Sequence, residues 1–122
     1  MMNMLFLQLV DAILIMSGGF VMSDILLKKI DLCGEWYLSG GNFHKIPARV
    51  PGCVHTDLLA NNLIDDPYFA DNEKKIMWIG ETDWSYERNF TVDSSIIDSE
   101  IVILRCEGLD TLAAVYINAS KV

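Results

Sequence analysis

Four pairs of acidic residues stand close together along this 122-residue chain: Asp65 with Asp66, Asp71 with Glu73, Glu81 with Asp83, and Glu107 with Asp110. Two carboxyls held about 5 Å apart can share general-acid and nucleophilic work in a displacement at an acetal carbon. None of the four is persuasive as such a pair, because composition alone supplies them. His55 has a side chain that titrates near neutral pH, but no nucleophile or metal partner stands at a telling distance in sequence, which favours a hydrogen-bonded structural histidine. Cys33, Cys53 and Cys106 form no CxxC motif and no Cys/His grouping at metal spacing. They therefore imply no metal, no cofactor and no particular disulfide.

A second set of residues suits recognition rather than catalysis. Trp78 and Trp84 have flat apolar faces that can stack on a sugar ring, and Asn72, beside Glu73, can hydrogen-bond hydroxyls. Asn72, Trp78 and Trp84 are the candidate substrate-binding residues. A buried fate for both tryptophans and a loop-ordering role for Asn72 compete with that reading.

These side chains need elements to hold them. From Trp84 the pattern alternates, with Trp84, Tyr86, Arg88, Phe90 and Val92 on one face and Ser85, Glu87, Asn89 and Thr91 on the other, which predicts a half-buried strand. Arg88 is the exception on the apolar face, expected to lay its stem along the aromatic rings or to meet a carboxylate. Further strands are predicted near 35–38, 46–50, 76–79, 101–104 and 112–117, with Gly40-Gly41-Asn42 and Glu107-Gly108-Leu109-Asp110 as turns. One short helix is predicted over 56–62, capped by Thr56 or Asp57 and stopped at Asn62. Short strands separated by turns indicate an all-β fold, a β-sandwich or jelly roll. Only five or six strands are visible, against about eight in a jelly roll, so the sandwich over residues 23–122 is expected to be incomplete.

Lys and Arg total 9 against 17 Asp and Glu, a net charge of -8 that repels phosphate backbones and argues against nucleic acid as a partner. Residues 1–22 form an apolar leader. Ser17-Gly18-Gly19 fits a signal-peptidase site, whereas Asp11 interrupts the run, so a cleaved signal peptide is expected rather than a stable membrane span. A start at Met22 is the competing possibility. Two sequons, Asn89-Phe90-Thr91 and Asn118-Ala119-Ser120, agree with a secretory route and make Asn89 and Asn118 the candidate glycosylation sites.

Read in order, the chain presents Leu32-x-Gly34-x-Trp36, Val50-Pro51-Gly52-x-Val54-His55-Thr56-Asp57-Leu58-Leu59, Asp66-Pro67-Tyr68, Asn72-Glu73, Trp78-Ile79-Gly80, Asp83-Trp84-x-Tyr86 and Glu107-Gly108-Leu109-Asp110-Thr111. From about Leu32 to Asn118 it resembles the amino-terminal, galactose-binding-like jelly roll of β-mannosidases in glycoside hydrolase family 2. The resemblance implies a full-length retaining glycosidase that removes terminal β-linked mannose from oligosaccharides of glycoproteins in a lysosomal or extracellular setting. It also implies that both catalytic glutamates lie on a later barrel of roughly 250 residues, so this chain should have no catalytic residue and should meet a β-mannoside oligosaccharide only within the full enzyme. The rival expectations are a free-standing carbohydrate-binding module and a truncated interaction protein that pairs its open edge with another chain. At Asn118-Ala119 the family's Asn-Gly turn is not kept.

Overall fold

The computed structural model describes residues 5–7, 29–98 and 101–122. Its centre is an antiparallel sheet built where alternation is clearest. Strands β2 (Gly34–Gly40) and β3 (Phe43–Val50) form a hairpin, with Trp36 opposite Ala48 and Leu38 opposite Ile46. Gly41 makes the turn with φ +55°, a conformation that costs glycine little. Strand β4 (Trp84–Glu87) joins the other edge of β2, giving the order β3-β2-β4.

Helix α1 (Val54–Ala60) leaves β3 through Pro51-Gly52 and buries Val54, Asp57 and Leu58 on one face. With Leu38, Ala48, Ile79 and Trp84, Val54 and Leu58 form the main core. The helix begins earlier than the sequence suggests. Cys53 stands at the cap position, its backbone N–H donates to Thr56 Oγ1 at 3.1 Å, and the Thr56 hydroxyl donates to the Cys53 carbonyl at 2.7 Å. Thr56 is therefore a third-position partner of the cap. Asn62, at φ +56°, lies just past the helix where the stop is expected.

Two expectations need correction here. Residues 76–79 are not a strand: helix α2 (Asn72–Lys75) leads into a 3-10 turn, Met77–Glu81. The run is apolar, but Met77 is 67% exposed while Ile79 is fully buried and Ile76 and Trp78 lie between, a distribution that suits a helical turn and not a two-sided strand. Residues 101–104 carry only an isolated bridge at Ile103. Apolar character makes a strand only where a neighbouring backbone completes the ladder, and Ile101, Val102 and Ile103 remain about half exposed.

Further along, helix α3 (Ser94–Ile97) adds to the expected elements, β5 (Leu109–Thr111) begins inside the turn expected over 107–110, and of the strand expected over 112–117 only β6 (Tyr116–Ile117) forms. β6 makes a tight hairpin with β7 (Ser120–Lys121) through Asn118 and Ala119, both at positive φ. Most of the expected leader lies outside the described residues. Within it, β1 (Leu5–Leu7) pairs antiparallel with β5. No helix among the described residues is long and apolar enough to cross a membrane.

The close contact of β2 with β4 gives a direct test. A Cβ placed on Gly40 would lie 2.5 Å from the Trp84 ring and 2.6 Å from the Asp83 carbonyl oxygen. Gly40→Ala is expected to cost about 1–3 kcal/mol, as overpacking does, and to lower the urea midpoint without changing the slope.

Candidate functional site

The polar residues that organise the site are held by α1 and β4. Asp57 is 5% exposed, and its two carboxylate oxygens serve different strands. Oδ1 accepts the Arg49 backbone N–H from β3 at 3.0 Å, and Oδ2 accepts the Tyr86 hydroxyl from β4 at 2.7 Å. Burial pushes the Asp57 carboxyl above the ordinary carboxylate range, although both hydrogen bonds pull it down. Burial, reinforced by the neighbouring carboxylate, also pushes the Tyr86 phenol far up, so that it stays a donor. Asp57 is thus a clasp between helix and sheet and not the helix cap. Its place beside Val54 and Leu58 on the inward face is the sequence signal that would have found it.

Beyond α1 the chain forms a tightly held loop. Asp66 accepts the Tyr68 N–H at its Oδ1 (2.9 Å), and its carbonyl accepts both the Phe69 N–H (3.2 Å) and the Asn72 Nδ2 group (3.0 Å). Asn72 is 8% exposed, and its Oδ1 accepts the Lys75 ammonium at 2.9 Å. This side chain orders the loop.

Asn62, Asp65, Asn72, Lys75 and Trp78 line an open cleft of about 250 Å³. Trp78 is half-buried, with its ring 6.0 Å from Trp84 and 6.1 Å from Phe43. Trp84 is different. It is 4% exposed, stacks at 15° on Phe43 and donates its indole N–H to the Ile79 carbonyl at 2.9 Å, so it belongs to the core and has no face open to a sugar. The structure therefore brings together Asn72 and Trp78 of the three candidates. Asn62, Asp65 and Lys75 join them, although nothing in their spacing singled them out.

A second, larger cavity of about 630 Å³ is walled by apolar side chains, Ile30, Leu32, Phe90, Ile103, Cys106 and Ile117 among them. No charged or amide side chain among its lining residues is there to orient a hydrophilic ligand. Phe90, expected to face the core, is 42% exposed here. β4 stops at Glu87, and Arg88 turns its guanidinium to the carbonyls of Leu32 and Cys33 at 2.8 and 2.7 Å instead of to a carboxylate.

In three of the four acidic pairs one member is already engaged elsewhere. Asp66 holds the loop, Asp71 pairs with Lys74 at 3.6 Å, and Glu107 pairs with Arg105. Among the described residues lining the polar cleft, Asp65 is the single carboxylate, so the cleft does not contain the two carboxyls that glycoside hydrolysis requires. His55 is half-buried, and burial lowers its pKa. No disulfide joins Cys33, Cys53 or Cys106. No group of three or more His, Cys, Asp or Glu among the described residues is arranged to hold a metal. Asn89 and Asn118 are both exposed, as a glycan would require.

Residues 36–122 match the family model of the glycosyl hydrolase 2 galactose-binding domain-like fold. The chain belongs to this family. Within it, the similarity extends to proteins named as β-mannosidases: a probable β-mannosidase of Caenorhabditis elegans, 37% identical over 94 residues, and the β-mannosidase of Capra hircus, 38% identical over 91 residues. These alignments cover 76% and 74% of this chain but 10% of each relative. β-Mannosidase B of Aspergillus terreus is 40% identical over 75 residues, covering 62% of this chain and 9% of its own length. The chain thus spans about a tenth of the relatives it matches. No solved structure gives a significant match. Family membership agrees with the antiparallel sheets seen here and gives the galactose-binding-like domain a context in carbohydrate chemistry.

Proposed function

We propose that this chain is amino-terminal sequence of a β-mannosidase, a retaining glycosidase whose full-length form releases terminal non-reducing β-D-mannose from oligosaccharides. The observation that carries this reading is the group of animal and fungal β-mannosidases at 36–40% identity, all matched over a similar short stretch. The 122 residues alone are inactive, since the polar cleft has one carboxylate where hydrolysis needs two. Its role is recognition: Trp78 faces a mannosyl ring, while Asn62, Asp65 and Lys75 meet hydroxyls and Asn72 holds Lys75 in place. The purified chain is expected to leave an aryl β-mannoside intact. Turnover that persists through repurification, and is lost on Asp65→Asn, would overturn this assignment.

The apolar leader and the two exposed sequons support a lysosomal or extracellular destination, with glycans at Asn89 and Asn118. Enzymatic deglycosylation of the native protein is expected to increase its mobility, and Asn89→Gln with Asn118→Gln to abolish that shift. A free-standing carbohydrate-binding module is the second reading. The cleft itself favours it, and it differs by predicting binding without any larger catalytic protein.

A further inference from the structure

Tyr68 is 97% exposed and Phe69 72% exposed, on a loop with little freedom to hide them. The loop leaves the polar cleft at Asp65 and returns to it at Asn72, and both ends are cleft walls. Between them, Asp66 ties down the backbone at Tyr68 and Phe69, the Asn72 N–H donates to the Phe69 carbonyl at 3.2 Å, and Ala70 takes a positive φ of 52°. The buried Asn72 amide closes the loop onto Asp66. An ordered backbone presenting a side chain with only two rotatable angles loses little entropy when a ligand settles on the ring.

Charge narrows the ligand. Asp65, Asp66, Asp71 and Glu73 flank the two rings along the chain, Lys74 pairs with Asp71 and Lys75 with the Asn72 amide, which leaves a local excess of negative charge that repels phosphates and anionic lipid heads. A neutral polyol is different: its hydroxyls donate to carboxylates while the C–H face of its ring lies on an aromatic surface. We propose that Tyr68, with Phe69 beside it, is a second sugar platform, so that the cleft and loop together take at least two linked pyranose units of a neutral oligosaccharide rather than one. This rests on the cleft being the place of the first sugar.

The test uses the 122-residue chain labelled with nitrogen-15, following the indole N–H resonances of its three tryptophans. Methyl β-mannoside and β-1,4-mannobiose are titrated separately into the wild type and into Tyr68→Ala, whose fold is checked by circular dichroism. The Trp78 resonance is expected to move with both sugars in the wild type. Mannobiose should bind roughly two- to tenfold more tightly, the contribution of one aromatic stack. In Tyr68→Ala the monosaccharide affinity should be unchanged and the gain from the second unit lost.

A gain that survives Tyr68→Ala overturns the platform while leaving the cleft reading intact. An immobile Trp78 resonance with both sugars removes the cleft reading, and the platform with it. If Tyr68→Ala changes only self-association, measured by sedimentation, the rings serve a protein contact and the proposal fails.

Discussion

Asp57→Ala is expected to destabilise the chain by about 3 kcal/mol, because it strands the Tyr86 hydroxyl and the Arg49 backbone N–H that both donate to this carboxylate. Losses of that size are a large fraction of the stability of an ordinary domain. Urea unfolding followed by circular dichroism measures it directly. Tyr86→Phe removes one of the two bonds and should cost less, about 1–2 kcal/mol. A double-mutant cycle between the two positions should show them coupled.

The same clasp sets a pH dependence whose sign follows from its burial. The folded pKa of Asp57 lies above its ordinary value of 3.8, so the folded chain binds the proton more tightly than the unfolded one. The stability linked to that proton is fully present below about pH 3.8 and is lost as the pH rises through the folded pKa. Asp57→Asn retains the shape and one acceptor but cannot titrate. Measured against this variant, the wild type should therefore be relatively most stable at low pH, lose ground as the pH rises through the folded pKa, and level off above it. A difference that is flat with pH would contradict the burial of this carboxyl.

The other large effect is expected at Trp84. Truncation to alanine removes a ring that is 4% exposed and packed with Phe43 and Trp78, and it also deletes the donor to the Ile79 carbonyl. A loss of about 3–5 kcal/mol follows from large-to-small substitution in a packed core. Trp84→Phe keeps much of the packing and should cost less than half as much. The comparison also separates core from ligand roles, because Trp78→Ala, at a half-buried position, should cost less stability than Trp84→Ala while abolishing mannobiose binding measured by calorimetry.

The hairpin of β2 and β3 was legible because two alternating runs flank a glycine turn, and that local pattern agrees with the register observed. The inward positions of Trp84 and Tyr86 and the outward positions of Ser85, Glu87 and Asn89 were legible for the same reason. What misled was the run Ile76-Met77-Trp78-Ile79, where short apolar stretches read alike as strand or helical turn. Only the neighbours decide, and here the ordered loop ending at Asn72 leads straight into helix. Asp57 was misread as a cap because its carboxylate partners lie on strands remote in sequence from the helix's own first turn.

The site was half legible. Asn72 and Trp78 stood out by residue type, and they do share a cleft. Their company was hidden. Asn62, Asp65 and Lys75 reach the same cleft through the bend after α1 and the first turn of α2, a convergence that spacing along the chain does not encode.

The central claim, that these residues act as the amino-terminal sequence of a β-mannosidase, is tested most directly by immunocapture. An antibody raised against residues 35–60 would be used to isolate the native protein, with mass and hydrolysis of an aryl β-mannoside read from the same material. The account predicts a captured protein several times heavier than 13.7 kDa that releases mannose. Captured protein near 13.7 kDa and without hydrolytic activity would contradict it and leave a sugar-binding module in its place.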